Sequence, residues 1–310
     1  MRILHPNDQA ISEAAEALRS GKLVGMPTET VYGIAASALD ESAVRRTFEI
    51  KGRPADNPLI IHVPSLFAAL DVAEGMPDFA HELASRFWPG PLTLVLPKRS
   101  HVSDLVTGGL PTVAVRVPKN VVAQQLLEAA GVPVSAPSAN RFMGISPTSA
   151  EDIDLAIAEE LELILNGGPT EFGIESTVVD CTMSTPRILR PGALSRERIE
   201  AVVGRPTGRE KVRQRLSPGM YRRHYSPKTP LRIAERLERG EKGLRLSGPT
   251  GPGQVLMPSN PEDYAKRLYA ELIDLDGQVE EIIVEAPPQT PAWEAVWDRL
   301  NKAASKLQEP

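Results

Sequence analysis

Cysteine is nearly missing from this chain: Cys181 stands alone among 310 residues. That excludes an internal disulfide and any cysteine-based zinc knuckle, and a lone cysteine without a partner reads as a small buried residue. No apolar stretch reaches the length of a membrane span. Met1-Arg2-Ile3-Leu4-His5-Pro6 offers neither an apolar core nor a cleavage site, so no membrane association and a cytoplasmic location are expected. The net charge of −5 argues against a molecule that coats nucleic acid with its whole surface. Acidic residues are nowhere grouped at metal-ligand spacing, so no protein-held metal is expected, and no covalent nucleophile is accompanied by a base. What remains is an ordinary globular composition, 41% hydrophobic and 24% charged, in a chain long enough for about two domains.

Strand and helix signals alternate over residues 1–204. Ile11, Ala14, Ala15 and Leu18 recur at helical spacing after a cap at Asn7 or Asp8, and Val44 and Phe48 mark a second helix over 41–51. Leu59-Ile60-Ile61-His62-Val63 reads as a buried strand, with others at 92–96, 113–117, 132–135, 163–165, 177–180 and 187–189. Helices near 78–87, 119–130 and 195–203 fall between them. The pattern predicts an α/β domain with one large twisted mixed sheet. Residues 205–230 carry eight lysines or arginines against the single acid Glu210 and are broken by prolines and glycines, which predicts a basic linker. Residues 231–310 form a smaller α/β pattern. There Asn260-Pro261 opens a helix bearing Tyr264, Leu268 and Leu272, and a final helix presents Trp293, Val296, Trp297 and Leu300. So short a domain has a marginal core and is expected to dock on the first.

Three polar segments end apolar runs: Pro27-Thr28-Glu29-Thr30-Val31-Tyr32-Gly33, Lys51-Gly52-Arg53-Pro54-Ala55-Asp56-Asn57-Pro58 and Ser135-Ala136-Pro137-Ser138-Ala139-Asn140. Their prolines fix φ and stiffen the loops, which suits a pre-formed site for an anion. Each residue also has a plainer role. Lys51 and Arg53, read as exposed loop cations, complement a helix C-terminus. Asn57 suits a turn, His62 a strand interior, and Thr28 and Thr30 local caps. Arg116 is out of phase with Val115 and Val117 and so faces away from the apolar side, into solvent or a cleft. Glu175-Ser176-Thr177 and Arg190-Pro191-Gly192 again put polar residues at strand ends. Recurrence at loop after loop is what marks a cleft.

Taken together the segments resemble the threonylcarbamoyl-AMP synthase family, the YrdC-like fold in its longer form with a Rossmann-like C-terminal domain. Trp88-Pro89-Gly90-Pro91-Leu92-Thr93, Ser176-Thr177-Val178-Val179-Asp180, Arg190-Pro191-Gly192, Pro218-Gly219-Met220 and His224-Tyr225 extend the match, in the family's order, across essentially the whole chain. The resemblance implies an enzyme joining L-threonine, bicarbonate or CO2 and ATP into threonylcarbamoyl-AMP and pyrophosphate. Magnesium would travel on the ATP phosphates, and partner proteins would move the threonylcarbamoyl group onto tRNA. It implies threonine contacts at Thr30, His62, Arg116, Ser176 and the Ala136 backbone. It implies nucleotide contacts at Arg53, Asn57, Thr112, Ser138, Ser146 and Arg190, with Lys51 near the phosphates and His224-Tyr225 folding over the site as a lid. Lys51 and Arg53 are the catalytic candidates, because phosphoryl chemistry of this kind needs charge neutralisation and alignment. Arg116 is expected to grip the amino-acid carboxylate bidentately. A rival reading is a tRNA- or double-stranded-RNA-binding module using the basic linker without adenylate chemistry. A second rival, the carbamoyl-transfer domain of hydrogenase maturation proteins, conflicts with a single cysteine.

Overall fold

Ten strands make one mixed sheet in the computed structural model, which describes residues 2–208, 216–238 and 240–304. In chain order they are β1 (Ile3–Leu4), β2 (Val24–Met26), β3 (Gly33–Ser37), β4 (Ile60–His62), β5 (Leu92–Pro97), β6 (Thr112–Arg116), β7 (Val134–Ser135), β8 (Leu163–Leu165), β9 (Thr177–Asp180) and β10 (Arg187–Arg190). Across the sheet they run β1-β8-β2-β3-β7-β4-β6-β5-β9-β10. β4 and β6 are parallel neighbours with His62 and Arg116 in register, so the alternation of the strands sets these two residues side by side. β3 is one of the strands that sequence pattern missed, with β1: Gly33-Ile34-Ala35-Ala36-Ser37 has Ile34 as its one β-branched residue and no aromatic, a weak strand signal.

The helices are α1 (Asp8–Arg19), α2 (Glu41–Lys51), α3 (Leu66–Ala69), α4 (Asp78–Phe87), α5 (Asp104–Thr107), α6 (Val121–Ala130), α7 (Leu155–Ala158) and α8 (Arg196–Val203). α1 starts where Asn7 accepts the Ala10 N–H at 2.9 Å, and it packs its alanine-rich face on α6 over β2, β7 and β8. α2 is capped by Asp40 and stops at Gly52, whose φ of 62° is the left-handed turn that an L side chain resists. This stop aims the next residues back over the sheet edge. α4 and α8 cover the far end, where Leu83, Leu94, Val113 and Ile199 share one core. Full burial of such a side chain contributes about 1.5–3 kcal/mol.

The second sheet is parallel, ordered β11-β14-β12-β13 from β11 (Leu231–Ala234), β12 (Gly243–Arg245), β13 (Gln254–Leu256) and β14 (Ile282–Glu285). α9 (Pro261–Leu275) begins at the predicted Asn260 cap, and α10 (Glu294–Ala303) follows a short 3-10 turn. Their apolar faces, with Tyr264, Leu268, Leu272, Val296 and Leu300, fill one cluster that also takes in Val31, Ile174 and Tyr225. The small domain therefore completes its core with residues from outside itself. The linker is not a plain solvated tether. Ser217, His224, Tyr225, Ser226 and Thr229 are buried, whereas residues 209–215, with four of the eight cations, lie outside the described residues.

Candidate functional site

At the centre of the larger sheet a buried polar cluster gathers around Arg116. Its Nη1 donates to Thr30 Oγ1 at 2.9 Å and its Nη2 lies 2.7 Å from Glu29 Oε1, with all three residues under 5% exposed. Thr28 organises this loop by accepting the N–H groups of Thr30 and Val31 and donating to the Val31 carbonyl at 2.6 Å. This is the plain local capping role expected of Thr28. Arg116 Nε and Nη2 have no hydrogen-bond partner among the described residues, although Glu29 Oε1 stands 2.7 Å from Nη2, so two nitrogens of the fork expected to grip a carboxylate carry no hydrogen bond. Arg116 does not face solvent. His62 lies beside it, and burial together with the Arg116 charge pulls its imidazole down to about 3, so it is neutral at physiological pH. The Ala136 N–H is spent on the Ile60 carbonyl, which leaves the carbonyl as what its backbone can offer.

A second cluster holds the remaining cations. Lys51, 2% exposed, donates to the carbonyls of Ser138 and Asn140 at 2.5 Å each. Arg53 donates to the Asn57 and Pro58 carbonyls at 3.2 and 2.7 Å. The expectation that both are exposed loop cations is overturned: Lys51 lies on the buried face of α2 with Val44 and Phe48, and Arg53 is turned back inward after the left-handed Gly52. Burial, then the nearby Arg53 charge, lowers Lys51 well below its ordinary value, and burial brings Arg53 down to about 10. The Asn57 carboxamide is fully buried and finds no hydrogen-bond partner among the described residues, and neither does Thr112 Oγ1. An orphaned buried carboxamide is costly, and such a group is a natural ligand contact.

Arg190 joins the two clusters. Its Nε and Nη2 donate to the Ser176 carbonyl at 3.1 and 2.9 Å, and Nη2 also donates to Ser176 Oγ at 3.0 Å. Ser176 in turn shares a 2.8 Å hydrogen bond with Thr93. Ser146 donates to Glu175 at 2.6 Å, and Arg299 and Tyr269 meet the same carboxylate at 2.8 and 3.0 Å. Burial alone would raise Glu175, but the Arg299 and Arg190 charges and the Ser146 hydrogen bond outweigh it and hold the carboxyl down to about 2. Over this cluster sit His224 and Tyr225. Tyr225 is 1% exposed with φ 57°, and a Cβ on Gly219 would stand 2.3 Å from its hydroxyl, so that glycine is required for space as well as for its own φ of 80°. Burial keeps His224 well below its ordinary value and pushes Tyr225 up to about 12.

The structure thus gathers the sequence-derived residues into two adjoining clusters. A cavity of about 320 Å³ lies elsewhere, between the domains, lined by Thr177, Gly192, Arg196, Lys266 and Val296, and holds none of them. The buried linker residues account for this, since they occupy the room above the cations. Sequence reasoning missed Glu29 as the Arg116 partner and missed Tyr269 and Arg299 altogether. One signal was present for Arg299: it is a charge on the face of α10 that otherwise buries Val296, Leu300 and Ala303.

Comparison with known proteins matches the Sua5/YciO/YrdC family model, described as telomere recombination, over residues 16–192. The threonylcarbamoyl-AMP synthase C-terminal domain matches over 194–305. The chain belongs to the threonylcarbamoyl-AMP synthase family. The threonylcarbamoyl-AMP synthase of Pyrococcus abyssi is 43% identical, with 94% of this chain and 93% of the relative covered. That of Bacillus subtilis is 39% identical, with 97% and 94% covered. The crystal structure of P. abyssi Sua5 complexed with L-threonine superposes with a TM-score of 0.88 at 41% identity, covering 98% of this chain and 96% of that one. The chain thus has the two-domain form of this enzyme family, whose chemistry is of the nucleotidyltransferase type. No helix among the described residues is long and apolar enough to cross a membrane.

Proposed function

We propose that this protein makes L-threonylcarbamoyl-AMP and pyrophosphate from L-threonine, bicarbonate or CO2 and ATP, for threonylcarbamoyladenosine modification of tRNA by downstream transfer proteins. The observation that carries the reading is the adjacency of two unlike buried clusters, a Thr30–Glu29–Arg116 centre with a neutral His62 and a cation cluster of Lys51, Arg53 and Arg190. Arg116, Thr30, His62, Ser176 and Ala136 take the threonine, its carboxylate toward Arg116 and its ammonium toward Glu29. The ammonium loses one proton to solvent, the amine lone pair adds to the CO2 carbon as one C–O π bond breaks, and loss of a second proton from nitrogen leaves the carbamate. A carbamate oxygen then attacks the α-phosphorus, and the bond to pyrophosphate breaks. Neither step needs a protein nucleophile; both need two anions held in line and their charge offset. Arg53, Arg190 and Lys51 supply that charge, and Asn57, Thr112, Ser138 and Ser146 orient the nucleotide. Magnesium belongs to the substrate here, carried by phosphates and water, since these residues are cations and neutral polar groups rather than carboxylates. His224 and Tyr225 shield a water-sensitive carbamate and mixed anhydride.

The test is pyrophosphate release with each component omitted in turn. Release should require L-threonine, bicarbonate and ATP together, and full turnover without threonine would sink the assignment.

A further inference from the structure

Arg299 sits on α10 of the C-terminal domain, 1% exposed, yet it reaches into the catalytic domain. Its Nε donates to Glu175 Oε2 at 2.8 Å, and its Nη1 donates to the Pro191 carbonyl at 2.9 Å and to Asp298 at 2.5 Å. Its guanidinium lies 4.7 Å from the centre of the Tyr225 ring. Tyr269 of α9 donates to the same Oε2 at 3.0 Å. The other oxygen, Oε1, accepts the Ser146 hydroxyl at 2.6 Å. Glu175 therefore has one oxygen held by the C-terminal domain and one facing the catalytic site. Immediately after it comes Ser176, which anchors the Arg190 guanidinium through its carbonyl and hydroxyl.

We infer that Arg299 is a positioning residue for the nucleotide half of the site, acting through Glu175 on Ser146 and on the Ser176–Arg190 contact. The inference deepens the reading above, resting on Ser146 and Arg190 as nucleotide contacts, and it gives the C-terminal domain a part in the reaction. A buried carboxylate needs a compensating charge and filled hydrogen-bonding sites to stay in one orientation. With Oε2 fixed by Arg299 and Tyr269, Oε1 points in a defined direction. The Ser146 proton is then committed to Glu175, so Ser146 meets a nucleotide as an acceptor. Arg299 touches none of the threonine contacts; its one route to them is the peptide from Glu175 to Ser176, whose hydroxyl is held separately by Thr93 and Arg190, so the threonine side is expected to move less.

The experiment is steady-state pyrophosphate release by the full chain, with ATP and L-threonine varied in turn. Arg299→Met should raise KM for ATP by about tenfold or more, with KM for threonine moving less than about twofold, the signature of binding lost on one substrate alone. Arg299→Lys should restore part of the loss, because it returns a charge to Glu175. Ser146→Ala should raise KM for ATP, and adding it to Arg299→Met should cost little more, as expected of residues acting as one unit. Equal shifts in both KM values, a lysine variant no better than methionine, or full additivity with Ser146→Ala overturns the inference. Should Arg299→Met not fold, Tyr269→Phe carries the same test: a rise confined to the ATP KM supports the inference and an unchanged KM overturns it. Wild-type release that does not depend on threonine overturns the functional reading instead, whereas a threonine-dependent wild type with indifferent Arg299 variants overturns this inference alone.

Discussion

Glu29 with Arg116 and Glu175 with Arg299 are both buried carboxylate–guanidinium pairs, at 2.7 and 2.8 Å, but they are built differently. The first is local to the catalytic domain, joining the loop after β2 to the end of β6. It is also incompletely satisfied: Glu29 Oε1, Arg116 Nε and Arg116 Nη2 have no hydrogen-bond partner among the described residues. The second spans the two domains, and its carboxylate is filled by Ser146, Tyr269 and Arg299. Unspent hydrogen-bonding capacity at a buried charge is expensive, so it belongs where a ligand arrives with matching groups. Arg299 Nη2 also lacks a partner, so the difference lies in the carboxylates: Glu175 has both oxygens hydrogen-bonded, and a saturated carboxylate is a support that fixes its neighbours. The difference assigns ligand contact to Arg116 and positioning to Arg299, although both look alike as buried ion pairs.

The sharpest way to break that comparison is to strip Glu29 of its partner. Arg116→Met leaves a buried carboxylate uncompensated, which should cost about 3–5 kcal/mol of stability in urea unfolding. The double variant Arg116→Met/Glu29→Gln should recover much of this stability while threonine-dependent turnover stays lost. A double variant that recovered turnover as well would reduce Arg116 to a structural charge.

Arg53→Ala tests the cation cluster. Loss of one charge-assisted contact to phosphate costs about 1.5–3 kcal/mol, so kcat/KM should fall roughly 10- to 200-fold. The variant also gives up hydrogen bonds to Asn57 and Pro58, so a lower melting temperature should accompany the loss. Unchanged turnover would return Arg53 to a mere clamp on its own loop. Lys51→Ala carries a larger folding penalty still, because its ammonium ties α2 to the 138–140 loop.

How far the sequence carried the argument follows from where physics is local. The helix caps at Asn7 and Asn260, the span of α2 over 41–51 and the apolar stripe of α9 are written in neighbouring residues, and each stands where the sequence put it. The motif residues came together because strand ends of one sheet share an edge. Exposure was misjudged for Lys51 and Arg53, since spacing marks where a helix ends but not what later chain segments cover it, whereas the solvent-or-cleft reading of Arg116 resolves to the cleft. Pairings such as Glu175 with Arg299, 124 residues apart, leave no trace in spacing at all.

The smallest effect expected is a pH dependence that separates the two centres by their titrating groups. His62 is held near 3 against an ordinary 6.5, first by burial and then by the Arg116 charge. As pH falls, the unfolded chain takes up the imidazole proton before the folded one does, so stability is whole above 6.5 and is lost as pH drops from 6.5 toward 3. The slope from one such group is at most about 1.4 kcal/mol per pH unit. His224, lowered chiefly by burial, adds a loss of the same sign from the nucleotide side. Glu175, held near 2 against an ordinary 4.5, contributes stability that begins to fall only below 4.5. Between pH 6.5 and 4.5, then, of these three groups the two histidines act and the Glu175 centre is silent. Urea midpoints of wild type, His62→Gln and His224→Gln at pH 7, 6 and 5 should show a decline in wild type that each variant flattens in part. A His62→Gln profile parallel to wild type would mean that His62 is protonated in the fold, and the neutral state given to it beside Arg116 would fall with it.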